Sequence, residues 1–174
     1  SAKRPVITRS SGHAVVLGSG NTVAGLAINA PSGNCIFGDG LRRATLGALQ
    51  LSDCVVGIQL SESEGLLNFT GQIEVQRTSD YAVRLLSTRG EVVMERLAVQ
   101  SCAGGLRIES HDGSFTAIGA VTIDNPVGPQ EGIAIVNPSA TKHASPFLFE
   151  GPVSVTSLGD AIRFNQNGAN AALD

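Results

Sequence analysis

Four consecutive residues, Glu109-Ser110-His111-Asp112, offer an acid, a hydroxyl, an imidazole and a second acid within one short stretch. Those types could serve acyl transfer or general acid–base chemistry if they converged on one point. Consecutive residues at a strand end point different ways, however, and catalytic groups usually come together from separate segments. Asp112-Gly113 is moreover a common turn dipeptide, so the stretch reads as a solvated corner. A second set of chemistry-bearing residues is spread out: Arg84, Arg107 and Arg163, each the polar centre of an apolar-x-apolar triplet. Stacked in a column, they would form a short cationic strip suited to an acidic glycan or another polyanion, or a solvated face with local counter-ions such as Glu109 or Glu62. Lys142 and His143 complete the candidate binding residues, in a proline-containing insertion. No catalytic set and no metal-ligand spacing accompanies them, and no cofactor is expected. The glycine-rich run from Gly18 to Gly40 lacks the Lys-Ser/Thr of a phosphate loop and the helix of a dinucleotide fingerprint, and reads as corners between very short strands.

Whatever these side chains do, a repeat must position them. One series of triplets reads Leu26-Ala27-Ile28, Leu49-Gln50-Leu51, Ile73-Glu74-Val75, Leu97-Ala98-Val99, Val121-Thr122-Ile123 and Val153-Ser154-Val155, stepping by 23, 24, 24, 24 and 32 residues. A second follows seven or eight residues behind most members: Val15-Val16-Leu17, Cys35-Ile36-Phe37, Ile58-Gln59-Leu60, Val83-Arg84-Leu85, Leu106-Arg107-Ile108, Ile133-Ala134-Ile135 and Ile162-Arg163-Phe164. A looser third includes Leu67-Asn68-Phe69, Val92-Val93-Met94, Phe115-Thr116-Ala117 and Phe147-Leu148-Phe149. Alternation with a period of two marks strands with one buried face. Stubs this short, joined by turns of a few residues, leave no room for helices or hairpins. Each must stack in parallel on its counterpart one turn later, about 4.8 Å away, because no single rung can bury its own apolar face. The expected fold is all-β: a right-handed, single-stranded parallel β-helix of six to seven rungs, about 24 residues each, over residues 1–174 as one domain.

Gly20-Asn21-Thr22-Val23-Ala24-Gly25-Leu26-Ala27-Ile28, Glu131-Gly132-Ile133-Ala134-Ile135 and Gly159-Asp160-Ala161-Ile162-Arg163-Phe164 resemble rungs of the pectin-lyase-like superfamily of right-handed parallel β-helices. The resemblance runs from about Ile7 to about Phe164 and implies fold more than activity, since such folds host both enzymes and long bacterial surface proteins. The hydrolases of that superfamily would imply an Asn-Thr-Asp, an Asp-Asp, a Gly-His-Gly and an Arg-Ile-Lys in order. Here Arg107-Ile108-Glu109 matches only in part, Gly12-His13-Ala14 departs and lies out of order, and Asp-Asp is missing. The lyases would imply clustered Asp for calcium, which is also missing.

Composition narrows the partners. The 174 residues include 21 Gly, one Tyr and no Trp, with a net charge of −3, which gives no basic footprint for nucleic acid and few platforms for stacking on sugars. No apolar run is long enough to insert this segment in a membrane. Cys35, Cys54 and Cys102 form an odd set without CxxC spacing and read as three small buried side chains. In register, Cys54 and Cys102 share a column two rungs apart, with Ser79 between them. The rung holding Asp124 to Glu131 and Asn137 to Pro146 is extended, and insertions in solenoids tend to build binding surfaces. The reading that follows is a non-catalytic rod, stalk or adhesin-like segment of a longer array in a secreted or cell-surface bacterial protein. It would contact a host or matrix glycan or another surface protein, and could associate end to end. The alternative is a polysaccharide lyase or glycoside hydrolase of the same superfamily. Extracellular placement rests on the resemblance alone.

Overall fold

In the computed structural model, which describes residues 4–125, 127–137 and 147–166, every regular element is a β-strand and every strand pairing is parallel. The chain winds as a solenoid with three faces. The first carries Val6–Thr8, Ala27–Ala30, Gln50–Cys54, the second half of Glu64–Gln76, the second half of Arg89–Gln100, Val121–Asn125 and Val153–Ser157. The second stacks Val15–Leu17, Ile36–Asp39, Ile58–Ser61, Tyr81–Leu86, Gly104–Glu109, Ile133–Asn137 and Ile162–Gln166. On the third lie Asn21–Ala24, Arg43–Gly47, the first halves of the two long strands, Asp112–Ala117 and Phe147–Phe149. Six third-face strands delimit about five full turns, fewer than the six to seven rungs expected. The difference arises because the first and last strands of the other two faces belong to incomplete turns.

The apolar positions form ladders inside the solenoid. Ile36, Ile58, Val83, Leu106 and Ile133 pair in succession and are each at most 1% exposed. Ile162 continues the ladder but is 47% exposed, because it lies on the last strand of the face. One register differs from the sequence reading. Ile36, not Cys35, pairs with Ile58, and Phe37 turns outward opposite Gln59. Gly38 holds the next inward position, where an added Cβ would lie 2.6 Å from Leu41 Cδ1. Leu41 fills the interior there, and a glycine in an apolar slot hid the period of two.

In the glycine-rich run, Gly20, Gly25 and Gly40 take left-handed φ of 83°, 71° and 63° at corners, as expected, but several corners in other turns are made without glycine. Asp53, Arg77 and Ser101 stack at one corner with φ of 54°, 53° and 54°. Glu62, Ser87 and Ser110 continue a column opened by Gly40 at another, while Ala48 sits between Gly25 and Gly71 at the third. A left-handed residue other than glycine costs roughly 1–2 kcal/mol. It persists because the neighbouring turns fix it, as in the bonds from Glu62 N to Leu86 O and from Ser87 N to Glu109 O.

The cysteines also depart from expectation. Cys35 and Cys54 form a disulfide, with Cα atoms 5.7 Å apart, and Cys102 is free and buried. The pair occupies successive turns at one corner, where the spacing between turns itself falls within disulfide reach. Cys54 and Cys102 do share a column, but Thr78 stands between them rather than Ser79: Ser79 N bonds Cys54 O and Ala103 N bonds Thr78 O. The corner between Thr78 and Val83 is one residue longer than its neighbours, which buries Thr78 and leaves Ser79 outside.

Because Leu106 is wholly buried between Val83 and Ile133, Leu106→Asp places an unpaired charge in the ladder. Thermal denaturation is expected to show a loss of several kcal/mol; a variant melting with the parent would contradict this register.

Candidate functional site

The arginine strip lies on the second face as the spacing predicts. Gln59, Arg84, Arg107, Ala134 and Arg163 pair in succession along it. Its charge is answered locally. Arg84 Nη1 is 3.4 Å from Asp80 Oδ2, Arg107 Nη2 is 3.0 Å from Glu109 Oε2, and Arg163 Nη1 is 2.8 Å from Glu131 Oε1. Arg84 and Arg107 are direct neighbours, and these carboxylates relieve the repulsion such a pair would feel. Lys142 and His143 lie outside the described residues.

Sequence reasoning missed the centre of the site. Tyr81 is 4% exposed and lies over Gly104, where an added Cβ would sit 2.5 Å from Tyr81 Cδ1. With no side chain at Gly104, the ring can extend along the column toward the next turn. Its hydroxyl donates to Glu131 Oε2 at 2.5 Å and accepts from Arg107 Nη1 at 3.2 Å, and the Arg107 guanidinium is 5.4 Å from the ring centroid. A linked network thus crosses the turns that carry Tyr81, Arg107, Glu131 and Arg163. Burial pushes the Tyr81 hydroxyl pKa up, helped by its bond to Glu131. That same bond, with Arg163 adding to it, holds the Glu131 carboxyl below its usual range. The arrangement keeps Tyr81 protonated and Glu131 charged, which suits a clamp between turns.

A signal for this network was present. The residue before each second-face triplet is small throughout the stack: Ala14, Cys35, Gly57, Ala82, Gly105, Gly132 and Ala161. At Gly105 a Cβ would meet Ile123 Cδ1 at 2.8 Å, and at Gly57 it would meet Val75 Cγ1 at 2.6 Å. That column aligns the preceding one, in which Tyr81, Gly104 and Glu131 are successive members.

The Glu109–Asp112 stretch does not converge. Glu109 faces outward to Arg107, Ser110 takes the left-handed corner, and His111 turns inward. His111 is 2% exposed, and its Nδ1 is 2.8 Å from Thr88 Oγ1. Its Nε2 is buried without a hydrogen-bond partner, and the ring meets Phe147 edge-on. Burial pushes its pKa down, against a smaller opposing pull from backbone groups and Asp112. Among the described residues, no group of three or more His, Cys, Asp or Glu is placed to hold a metal ion.

No family model, curated protein or solved structure matches the chain.

Two expectations follow. Tyr81→Phe removes one bond from Glu131 and is expected to cost about 1 kcal/mol, with the Glu131 carboxyl titrating at higher pH by NMR; an unmoved Glu131 would contradict the clamp. For His111, the folded pKa lies below the unfolded value, so its stabilising contribution is complete above about pH 6.5. As pH falls below that value, the unfolded chain binds the proton first and stability declines until the folded pKa is passed. Melting temperature is expected to drop from neutral to mildly acidic pH in the parent, and less in His111→Gln. Equal slopes in the two proteins would remove His111 as the cause.

Proposed function

We propose that this chain is a non-catalytic rod or stalk segment of a secreted or cell-surface protein. It is bacterial in the character of its resemblance to pectin-lyase-like surface β-helices. The observation that carries the reading is the second face, whose seven strands stack in unbroken register. Its outward arginines are engaged within the stack: Arg84 and Arg107 pair with carboxylates of their own turns, while Arg163 with Glu131, and Arg107 with Tyr81, link one turn to the next. A scaffold of this kind transmits distance and presents its corners to a partner, whether a glycan or another surface protein.

The Cys35–Cys54 disulfide supports an oxidising compartment, where such bonds persist. End-to-end association belongs to the same reading. Phe164 is 39%, Ile162 47% and Val153 39% exposed, although each occupies an inward position on the last described strand of its face. Open edges with apolar side chains recruit neighbouring strands.

A polysaccharide panel scored for new reducing ends or unsaturated products tests the function; none is expected, and reproducible cleavage of any member would overturn it. Sedimentation over a wide concentration range is expected to show reversible association that Phe164→Lys weakens, and a strictly monomeric parent would remove that element. Non-reducing peptide mapping is expected to link Cys35 to Cys54 and leave Cys102 free. Reduction should then cost about 3 kcal/mol, the loop-closure scale for a separation of 19 residues.

A further inference from the structure

The first face carries a solvent-facing trough that the arginine strip does not touch. Outward side chains stack there in two columns, Glu74–Ala98–Thr122 and Gln76–Gln100–Asp124. Ala98 contributes only a methyl group between Glu74 and Thr122, so a depression of about 350 Å³ opens above it. Gln72, Glu74, Gln100, Thr122 and Asp124 are on its walls. A second hollow of about 210 Å³ shares Glu74 and Gln76 with the first, which lengthens the trough across the turns. The larger volume lies at the small end of the range for ligand sites.

Four of the six polar side chains on the larger hollow are not spent on the fold; the exceptions are Glu74 and Gln76, the latter accepting from Arg77 Nη1 at 3.1 Å. Glu74 accepts from Gln50 Nε2 at 2.8 Å. The side chains of Gln72, Gln100, Thr122 and Asp124 have no partner among the described residues. Two amides, a hydroxyl and a carboxylate therefore face one cavity, offering donors and acceptors side by side. Sugar hydroxyls, which both donate and accept, match that mixture. Both charged residues of the larger hollow are carboxylates, and Arg77 in the second is paired with Asp53 at 2.7 Å, which disfavours an anionic ligand. No aromatic ring lines the trough, so affinity must come from hydrogen bonds and shape.

We propose that this trough binds a neutral glycan, laid along the solenoid axis across the turns that carry Glu74, Ala98 and Thr122. The proposal rests on the rod reading, because the contact is recognition without cleavage. Its test is an NMR titration of the isotope-labelled chain with neutral gluco-, manno- and xylo-hexasaccharides, with a galacturonate hexamer as the acidic comparator. The expected result is binding in the millimolar range of at least one neutral hexamer, with shifts centred on Gln72, Gln100 and Thr122 and none from the acidic one. Ala98→Trp fills the depression at an outward strand position and should abolish those shifts. Should that variant misfold, Gln100→Ala serves instead, expected to weaken binding about threefold to tenfold, the scale of one hydrogen bond. Absence of shifts with every neutral hexamer, preference for the acidic one, or binding indifferent to both substitutions would overturn the proposal. The titrated samples also separate the two readings. Cleavage of a bound hexamer would overturn the rod and leave the trough, whereas no binding would overturn the trough and leave the rod.

Discussion

Parallel stacking one strand spacing apart is the constraint on which the rest depends. Backbone groups of the strands find their partners in the turns before and after them, as when Leu106 N bonds Gly132 O and Gly132 N bonds Asp160 O. The interior obeys the same rule. Leu106 is buried because Val83 and Ile133 lie above and below it. Stability in such an array is a sum of interfaces between neighbouring turns. A disulfide between successive turns and a tyrosine bridging to a glutamate beyond the adjacent turn therefore act on the unit that matters, the interface.

The left-handed corners show the same dependence from the local side. Arg77 with a φ of 53° is unfavourable in isolation. In the stack it sits between Asp53 and Ser101, both left-handed as well, and its guanidinium returns to Asp53 at 2.7 Å. One corner geometry repeated through the turns lets each backbone meet the next without a gap. Once the first such corner is set, departing from it costs the hydrogen bonds of two neighbours.

This explains what the sequence made legible. Period-two alternation and the beat of about 24 residues are direct consequences of stacking, so faces, strand partners and the arginine column were readable from residue types alone. The third series, loosest in sequence, pairs as written: Leu67 with Val92, Val92 with Phe115, and Phe115 with Phe147. Corners were not readable in the same way. Whether Thr78 or Ser79 faces inward turns on one extra residue between strands, and alternation carries no information there. Gly38 concealed a register because its place in the ladder is filled by Leu41 from elsewhere in the turn. The Tyr81–Glu131 bond joins residues 50 apart in sequence, and only columns of small residues pointed to it.

The 32-residue step shows where such a scaffold tolerates change. Phe115 still pairs with Phe147, and Val121 with Val153, so both faces resume their register after the longer turn. The added length lies between the described strands, none of which is shifted by it. A face cannot absorb an insertion, since one residue would reverse every side chain beyond it. A corner can, because its backbone already leaves the strand. Outward positions on the faces have a different freedom: their side chains change without disturbing either ladder. The trough over Ala98 has that origin, a small residue on an outward column whose inward neighbours, Leu97 and Val99, remain buried. Recognition can therefore vary on the faces by substitution and at the corners by length, while the stacking constraint stays intact.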